Sequence, residues 1–269
     1  MRQVHVEVSP IPGWLDAARL LGTEHFALEG EHARLVLESD HAADLAARLR
    51  GLGLDGRPLE VRCEPPLARA EVRAARLRDA RARRESTPGF TRPGARASGE
   101  GRYSLTPESL ALALGEQARG ARVVDACCGS GGNAIGFARA GSHVTAIERD
   151  AGRLAEARHN AAVYGVSERI VFMHGDAREL VPTLRGEVLF IDPPWGEHYD
   201  KRACALDAFP LLSELLALPH AQYRELWLKL PGSFAVRSVA GAEPRAWFGE
   251  SPGDRQRVKF VLLRRSAQP

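Results

Sequence analysis

The chain has 269 residues, 44% hydrophobic and 26% charged, with 37 Lys and Arg against 34 Asp and Glu for a formal net charge of +3. That composition is that of one or two ordinary globular domains. It excludes a membrane span, since no apolar run nears the roughly 20 residues required, and its near-neutral balance does not by itself announce a nucleic-acid binder.

Taken in chain order, the opening Met1-Arg2-Gln3-Val4-His5 lacks the apolar core of a secretion signal, which predicts a cytoplasmic location. Strands at residues 3–8, 33–38 and 59–63, with amphipathic helices around 14–21 and at 41–49, predict a small α/β module. Residues 67–85 have helical composition and carry Arg69, Arg73, Arg76, Arg78, Arg81, Arg83 and Arg84 against Glu71, Asp79 and Glu85. Such a face either contacts phosphate or is a solvated helix paired with carboxylates elsewhere; charge alone does not separate the two. Residues 86–100 hold two Pro-Gly pairs and read as a linker between a module at 1–85 and a second domain at 101–269.

Beyond residue 121, runs rich in Val, Ile and Phe alternate with helical segments, the pattern of βαβ units around a mostly parallel sheet. The strands expected are 122–126, 143–148, 170–174, 187–192, 226–230, 246–249 and 258–263, with helices at 133–140, 153–164 and 206–218. The last two strands are joined through Ser251-Pro-Gly-Asp254, too short for a parallel crossover, so they are expected as an antiparallel hairpin at the sheet edge. The fold class is therefore α/β: a Rossmann-like, seven-stranded sheet preceded by the small module.

The first strand of that sheet runs Val123-Val124-Asp125 into the turn Ala126-Cys127-Cys128-Gly129-Ser130-Gly131-Gly132 and then a helix beginning near Asn133. A dinucleotide-binding turn reads G-x-G-x-x-G; here an acid precedes G-x-G-G. A carboxylate at Asp125 repels a pyrophosphate and suits a cationic ligand such as the methionyl part of S-adenosylmethionine. Glu148 ends the next strand, where an acid accepts from ribose hydroxyls, and Asp176 follows the third, where it can accept from an adenine amino group while Ala177 offers its amide. Each of these alone reads equally as a surface or turn carboxylate. Together they mark the strand ends of an open α/β sheet, where ligands bind. The four cysteines, Cys63, Cys127, Cys128 and Cys204, show neither C-x-x-C pairing nor metal-ligand spacing, so free thiols and no metal are expected.

The fourth strand ends Asp192-Pro193-Pro194-Trp195-Gly196. Two prolines fix φ and remove two donors, holding their carbonyls outward. An exocyclic base amine has its lone pair conjugated into the ring and becomes nucleophilic when acceptors such as Asp192 and the Pro193 carbonyl take its protons. Trp195 offers a flat face on which a base stacks, worth about 1–3 kcal/mol. His198 lies near enough to relay a proton, though a lone histidine in a polar loop is more often a bystander.

With these residues in place, residues 101–264 resemble the trimethylguanosine synthase family, the RNA cap guanine-N2 methyltransferases. The resemblance lies in Tyr103-Ser-Leu-Thr-Pro-Glu108, in the run from Val124 to Asn133, in Ala157-Arg-His-Asn-Ala-Ala-Val-Tyr-Gly165 and in Pro193-Pro-Trp-Gly196. It implies a class I S-adenosylmethionine-dependent methyltransferase in which Tyr103, Ser104 and Thr106 line the cofactor pocket. Asp125, Cys127, Gly129, Gly131, Asn133, Glu148, Asp176 and Ala177 would hold the cofactor, and Asp192, Pro193, Pro194 and Trp195 would present the guanine. Two positions depart from the family pattern: Asp192 stands where the family has serine, and Glu197 where it has glycine. Three functions follow as expectations: an RNA guanine-N2 methyltransferase, a methyltransferase for a small-molecule amine, and a non-catalytic RNA-binding protein on the same fold.

Overall fold

The computed structural model describes residues 2–99, 105–196 and 199–267. Strand β1 (Gln3–Ser9) alternates between solvent and core as a pleat requires, which puts Val4, Val6 and Val8 on one inner face. Helix α1 (Ala17–Leu21) starts later than the pattern around Trp14 predicts, because the Asp16 side chain accepts from the Arg19 amide and caps the helix there. β2 (Ala27–Glu29), β3 (His32–Glu38), α2 (Ser39–Leu49), a small hairpin of β4 (Gly53–Leu54) with β5 (Arg57–Pro58), and β6 (Glu60–Glu64) follow. Four of these strands form an antiparallel sheet in the order β2-β3-β1-β6. β2 carries no apolar alternation because all three of its residues are exposed at the sheet edge, so nothing in the sequence announces it.

Helix α3 (Arg69–Ala82) packs on α2 and buries only Ala75, which leaves Arg69, Arg73, Arg76 and Arg81 in solvent. Residues 86–99 have no regular structure, yet they are tied down along their length. Thr87 is buried and donates its amide and hydroxyl to Asp254 at 2.8 and 2.7 Å. Thr91 donates its amide and hydroxyl to Glu108 at 2.7 and 2.6 Å, and the Arg96 amide donates to Asn160 Oδ1 at 2.7 Å.

The second sheet is built from β7 (Arg122–Asp125), β8 (His143–Glu148), β9 (Ile170–His174), β10 (Val188–Ile191), β11 (Glu225–Leu230), β12 (Glu243–Phe248) and β13 (Val258–Ser266). Around it run α4 (Glu108–Gln117), α5 (Gly132–Arg139), α6 (Ala151–Val163), α7 (Ala177–Leu180) and α8 (Pro210–Ala217). The strand order is β12-β13-β11-β10-β7-β8-β9. The pairs from β9 across to β11 are parallel, and β13 lies antiparallel between β11 and β12. This is the class I methyltransferase sheet, with the expected terminal hairpin. Helix α4 is absent from the expected elements because residues 110–114 are an unbroken apolar run without a helical period. Helix α8 starts at Pro210 rather than 206, since a ring without an N–H belongs at a helix start; a 3-10 turn precedes it.

Two features position the site. Chain order reverses between β7 and β10, the switch point at which open α/β sheets leave a crevice at their strand tips. Phe248 of β12 shares a buried cluster with Val4, Leu35 and Leu49, so the core of the first sheet ends on the edge of the second. Among the described residues no helix is long and apolar enough to cross a membrane.

Candidate active site

β7 delivers Asp125 to the switch point fully buried, and its neighbour in register on β10 is Phe190, two residues before Asp192. The chain then turns through Gly129 and Gly131, whose φ angles of 54° and 92° are left-handed, before α5 begins. A side chain at Gly131 would also crowd Ala157, with a Cβ at 3.1 Å from the alanine's, so the turn needs glycine there for both reasons.

The turn is fixed by its neighbours. Gly129 donates its amide to Glu148 Oε2 at 3.0 Å, Cys127 to Asp125 Oδ1 at 3.3 Å, and Ser130 its hydroxyl to Glu156 at 2.7 Å. Asn160, fully buried in α6, donates to the Ser130 carbonyl at 2.9 Å and to the Arg96 carbonyl at 2.7 Å, which couples the turn to residues 86–99. Asn160 and Glu156 were not singled out as site residues from the sequence. Asn160 lies in the Ala157–Gly165 block, and a polar residue among alanines on a helix face is the signal that could have marked it.

The corner at the end of β10 meets the glycine turn directly: Asn133 Nδ2 donates to Asp192 Oδ2 at 3.0 Å. The same carboxylate oxygen accepts from Lys229 Nζ at 2.6 Å. Lys229 lies in β11 with only 4% of its side chain exposed, and its ammonium also sits 5.0 Å from the centre of the Trp195 ring. An ammonium withdrawn from water costs several kcal/mol unless paired, and Asp192 is the pairing group. Lys229 is the main site residue that the sequence reading missed, although one lysine inside the apolar run Leu226-Trp-Leu-Lys-Leu230 is a visible signal. Trp195 is half-buried; its Nε1 donates to the Lys229 carbonyl at 3.4 Å and Tyr199 meets it edge-on at 5.7 Å.

Asp125, Glu148, Glu156 and Asp192 thus gather around the turn with one ammonium, that of Lys229. Burial, followed by the charges of Asp192 and Glu148, pushes the Asp125 carboxyl up to about 8. Burial also raises Asp192, against the opposing pull of Lys229 and Asn133. The thiols of Cys127 and Cys128 are raised by burial and by the nearby Asp125, which keeps them protonated. Asp176 caps α7 and is held at about 2 by its hydrogen bonds with Arg178, so both its oxygens are already engaged. Ala177 is buried at the start of that helix. Thr106 is buried with its carbonyl 3.9 Å from where a Gly132 side chain would begin. Tyr103, Ser104, Glu197 and His198 lie outside the described residues. Pro193 is buried and Pro194 exposed.

Three polar atoms around this turn are buried without a partner: Asp125 Oδ2, Asn133 Oδ1 and Thr106 Oγ1. An unmet acceptor in the interior costs about 1–3 kcal/mol, and such costs persist where a ligand relieves them. A cavity of about 570 Å3 is lined by Phe90, Arg96, Leu105 and Glu156, among others, and by none of Asp125, Glu148 and Asp192. The acid cluster, not that cavity, is where the chemistry of the residues converges. No group of three or more His, Cys, Asp or Glu side chains suited to a metal is present among the described residues.

Residues 120–217 match the model of the RNA cap guanine-N2 methyltransferase family. That span covers the strand, turn and diproline corner described above. The chain is 36% identical over 104 residues to a trimethylguanosine synthase from Schizosaccharomyces pombe, an alignment covering 35% of this chain and 43% of that protein. It is 33% identical over 127 residues to ribosomal RNA small subunit methyltransferase J from Rhodopseudomonas palustris, covering 44% of this chain and 56% of that one. The chain therefore spans about half the length of these curated relatives. Among solved structures it is similar to TrmN from Thermus thermophilus, at 21% identity and a TM-score of 0.45 over 97% of this chain and 98% of that one.

Proposed function

We propose that this protein is an S-adenosylmethionine-dependent N-methyltransferase acting on the exocyclic N2 amine of a guanine in RNA. The observation that carries the reading is the 3.0 Å bond from Asn133 of the glycine turn to Asp192 of the diproline corner, which sets an amine acceptor beside the cofactor turn. The residues fit the cofactor. Asp125 Oδ2 and Asn133 Oδ1 are buried without hydrogen-bond partners, as an ammonium-bearing ligand requires, and a bound cation draws the Asp125 carboxyl, held up at about 8 mainly by burial, towards its carboxylate form. When bound, the sulfonium supplies an electrophilic methyl group.

The chain's own part is to hold the amine. Lys229 and Asn133 both take Asp192 Oδ2, which leaves Oδ1 without a bond among the described residues and able to accept an amine proton. The carbonyl of Pro193 is the second acceptor. Lys229 occupies one face of Trp195, and the other face receives the base. Positioning donor and acceptor in line does the rest, with no covalent enzyme intermediate. The exposed arginines of α3 are the RNA-facing surface.

The test is transfer of labelled methyl from S-adenosylmethionine to total RNA, followed by nucleoside analysis. N2-methylguanosine is expected; label in a different nucleoside moves the target atom, and no labelled nucleoside under any condition removes the reading.

A further inference from the structure

The β4/β5 hairpin of the first module spends its backbone on the other half of the molecule. Its two-residue turn is Asp55-Gly56, with φ of 50° and 70°, the left-handed pair that a tight hairpin turn requires. Three of its amides donate across to the second domain: Gly53 to the Lys201 carbonyl at 2.9 Å, Asp55 to that of Gly232 at 3.2 Å and Gly56 to that of Ser233 at 3.0 Å. In return Asp55 Oδ1 accepts from the Val236 amide at 2.8 Å. The approach leaves no room for side chains. A Cβ at Gly53 would collide with the Arg202 carbonyl oxygen, and one at Gly56 would lie 2.6 Å from the Ala235 Cβ.

The segments met in this way are the exits of the two strands that carry the site. Residues 199–204 follow the diproline corner, and residues 231–236 follow β11 and its Lys229. The two exits are stitched to each other: the Cys204 amide donates to the Ser233 carbonyl at 3.1 Å, the Ala235 amide to the Cys204 carbonyl at 2.8 Å, and the Ser233 hydroxyl to the Asp200 carbonyl at 2.9 Å. The Ser233 carbonyl therefore takes one donor from the hairpin and one from the other exit. Tyr199, at the head of the first exit, is the residue that meets the Trp195 ring edge-on.

We propose that the Asp55-Gly56 turn is a positioning element for the target base: it clamps the two strand exits together and so fixes the face of Trp195 against Tyr199. The first module then completes the site that the second sheet carries. This inference rests on the function proposed above. Joining the two halves does not by itself call for these bonds, because Leu54 already anchors the hairpin in the apolar cluster that includes Phe248. The four polar bonds come in addition, and all four end on the two exits. Asp55 touches no reacting group and acts only through the loops it holds.

The experiment compares the wild type with Asp55→Gly, Asp55→Asn and Asp16→Ala. Glycine accepts the positive φ but removes the acceptor for Val236; asparagine tolerates the turn and keeps a side-chain oxygen. Asp16→Ala removes the cap of α1 in the same module and gauges destabilisation alone. Methyl transfer to total RNA, S-adenosylhomocysteine affinity and the thermal midpoint are measured for each. Asp55→Gly is expected to lower kcat by about tenfold, the scale of a loosened site, with KM for RNA and S-adenosylhomocysteine affinity unchanged. Asp55→Asn should restore most of that loss, and Asp16→Ala should lose stability while keeping kcat. A wild-type kcat in Asp55→Gly, an Asp55→Asn as slow as Asp55→Gly, or an equal loss of kcat in Asp16→Ala overturns the clamp and leaves the function standing. A wild type that methylates no RNA removes the function, and the positioning role with it.

Discussion

Glu108, at the start of α4, and Asp125, at the tip of β7, are both withdrawn from solvent, yet they end in opposite states. Glu108 accepts from the Thr91 amide and hydroxyl, from the Tyr164 hydroxyl at 2.5 Å and from Arg139 at 2.6 Å. Burial pushes its carboxyl up, but those four donors outweigh burial and hold it at about 2. Asp125 receives one long bond, keeps one oxygen unpartnered and sits at about 8. One carboxylate closes a seam between residues 86–99, α4 and α6; the other leaves an unmet demand at the switch point. A satisfied buried acid marks structure, and an unsatisfied one beside a second acid marks where a ligand supplies what the chain does not.

The largest expected effect separates the two regions at Asp192. Asp192→Ala is expected to lower kcat by about a thousandfold, the scale of losing a preorganised polar contact to the reacting group, with S-adenosylhomocysteine binding retained. The same change leaves Lys229 buried and alone, which costs about 3–5 kcal/mol of stability. Combining it with Lys229→Met removes both charges, so thermal stability should recover while activity does not. Recovery of both would make Asp192 a purely structural partner of Lys229. Next in size, Trp195→Ala is expected to lower kcat/KM by about 5- to 150-fold, the equivalent of one lost base stack, with partial rescue by Trp195→Phe. An unchanged kcat/KM would place the base elsewhere.

At the structural pole, Glu108→Gln should cost about 2 kcal/mol in urea unfolding, since it weakens hydrogen bonds to a charged acceptor, and leave cofactor affinity unchanged. Its pH signature has a definite sign. The folded carboxyl lies below its ordinary 4.5, so its contribution is present above that value and is lost as pH falls from 4.5 towards 2. The variant should therefore lose less stability than the wild type across that acid window. A parallel loss would mean that the four donors do not act through this carboxyl.

Much of this was legible beforehand because the signals were local. Strand periodicity, the G-x-G-G turn and the Asp192-Pro-Pro-Trp195 corner each declare themselves within a dozen residues. What stayed hidden depends on contacts between segments far apart. Residues 86–99 read as a plain linker because Thr87 finds Asp254, 167 positions away, only after folding. Lys229 reads as an oddity in an apolar strand until β11 pairs with β10 and brings it to Asp192. Asp176 reads as a free acid until Arg178 folds back on it.

The finest prediction concerns proton linkage at Asp125. With no cation beside it, its carboxyl is protonated below about 8. A sulfonium beside it favours the carboxylate, so binding S-adenosylmethionine below that pH must release a proton. Affinity should then rise with pH, by at most about tenfold per unit, and level off above 8. S-adenosylhomocysteine carries the same ammonium and carboxylate without the sulfonium charge, so its affinity should climb less over the same range, and the ratio of the two affinities isolates the sulfonium. Calorimetry in buffers of different ionisation enthalpy counts the proton directly. Asp125→Asn should flatten the ratio while keeping the turn folded, because the Cys127 amide can still donate to the side-chain oxygen. A ratio that does not change between pH 6 and 9 in the wild type would mean that Asp125 does not sense the cation, and the contrast with Glu108 would lose its functional half.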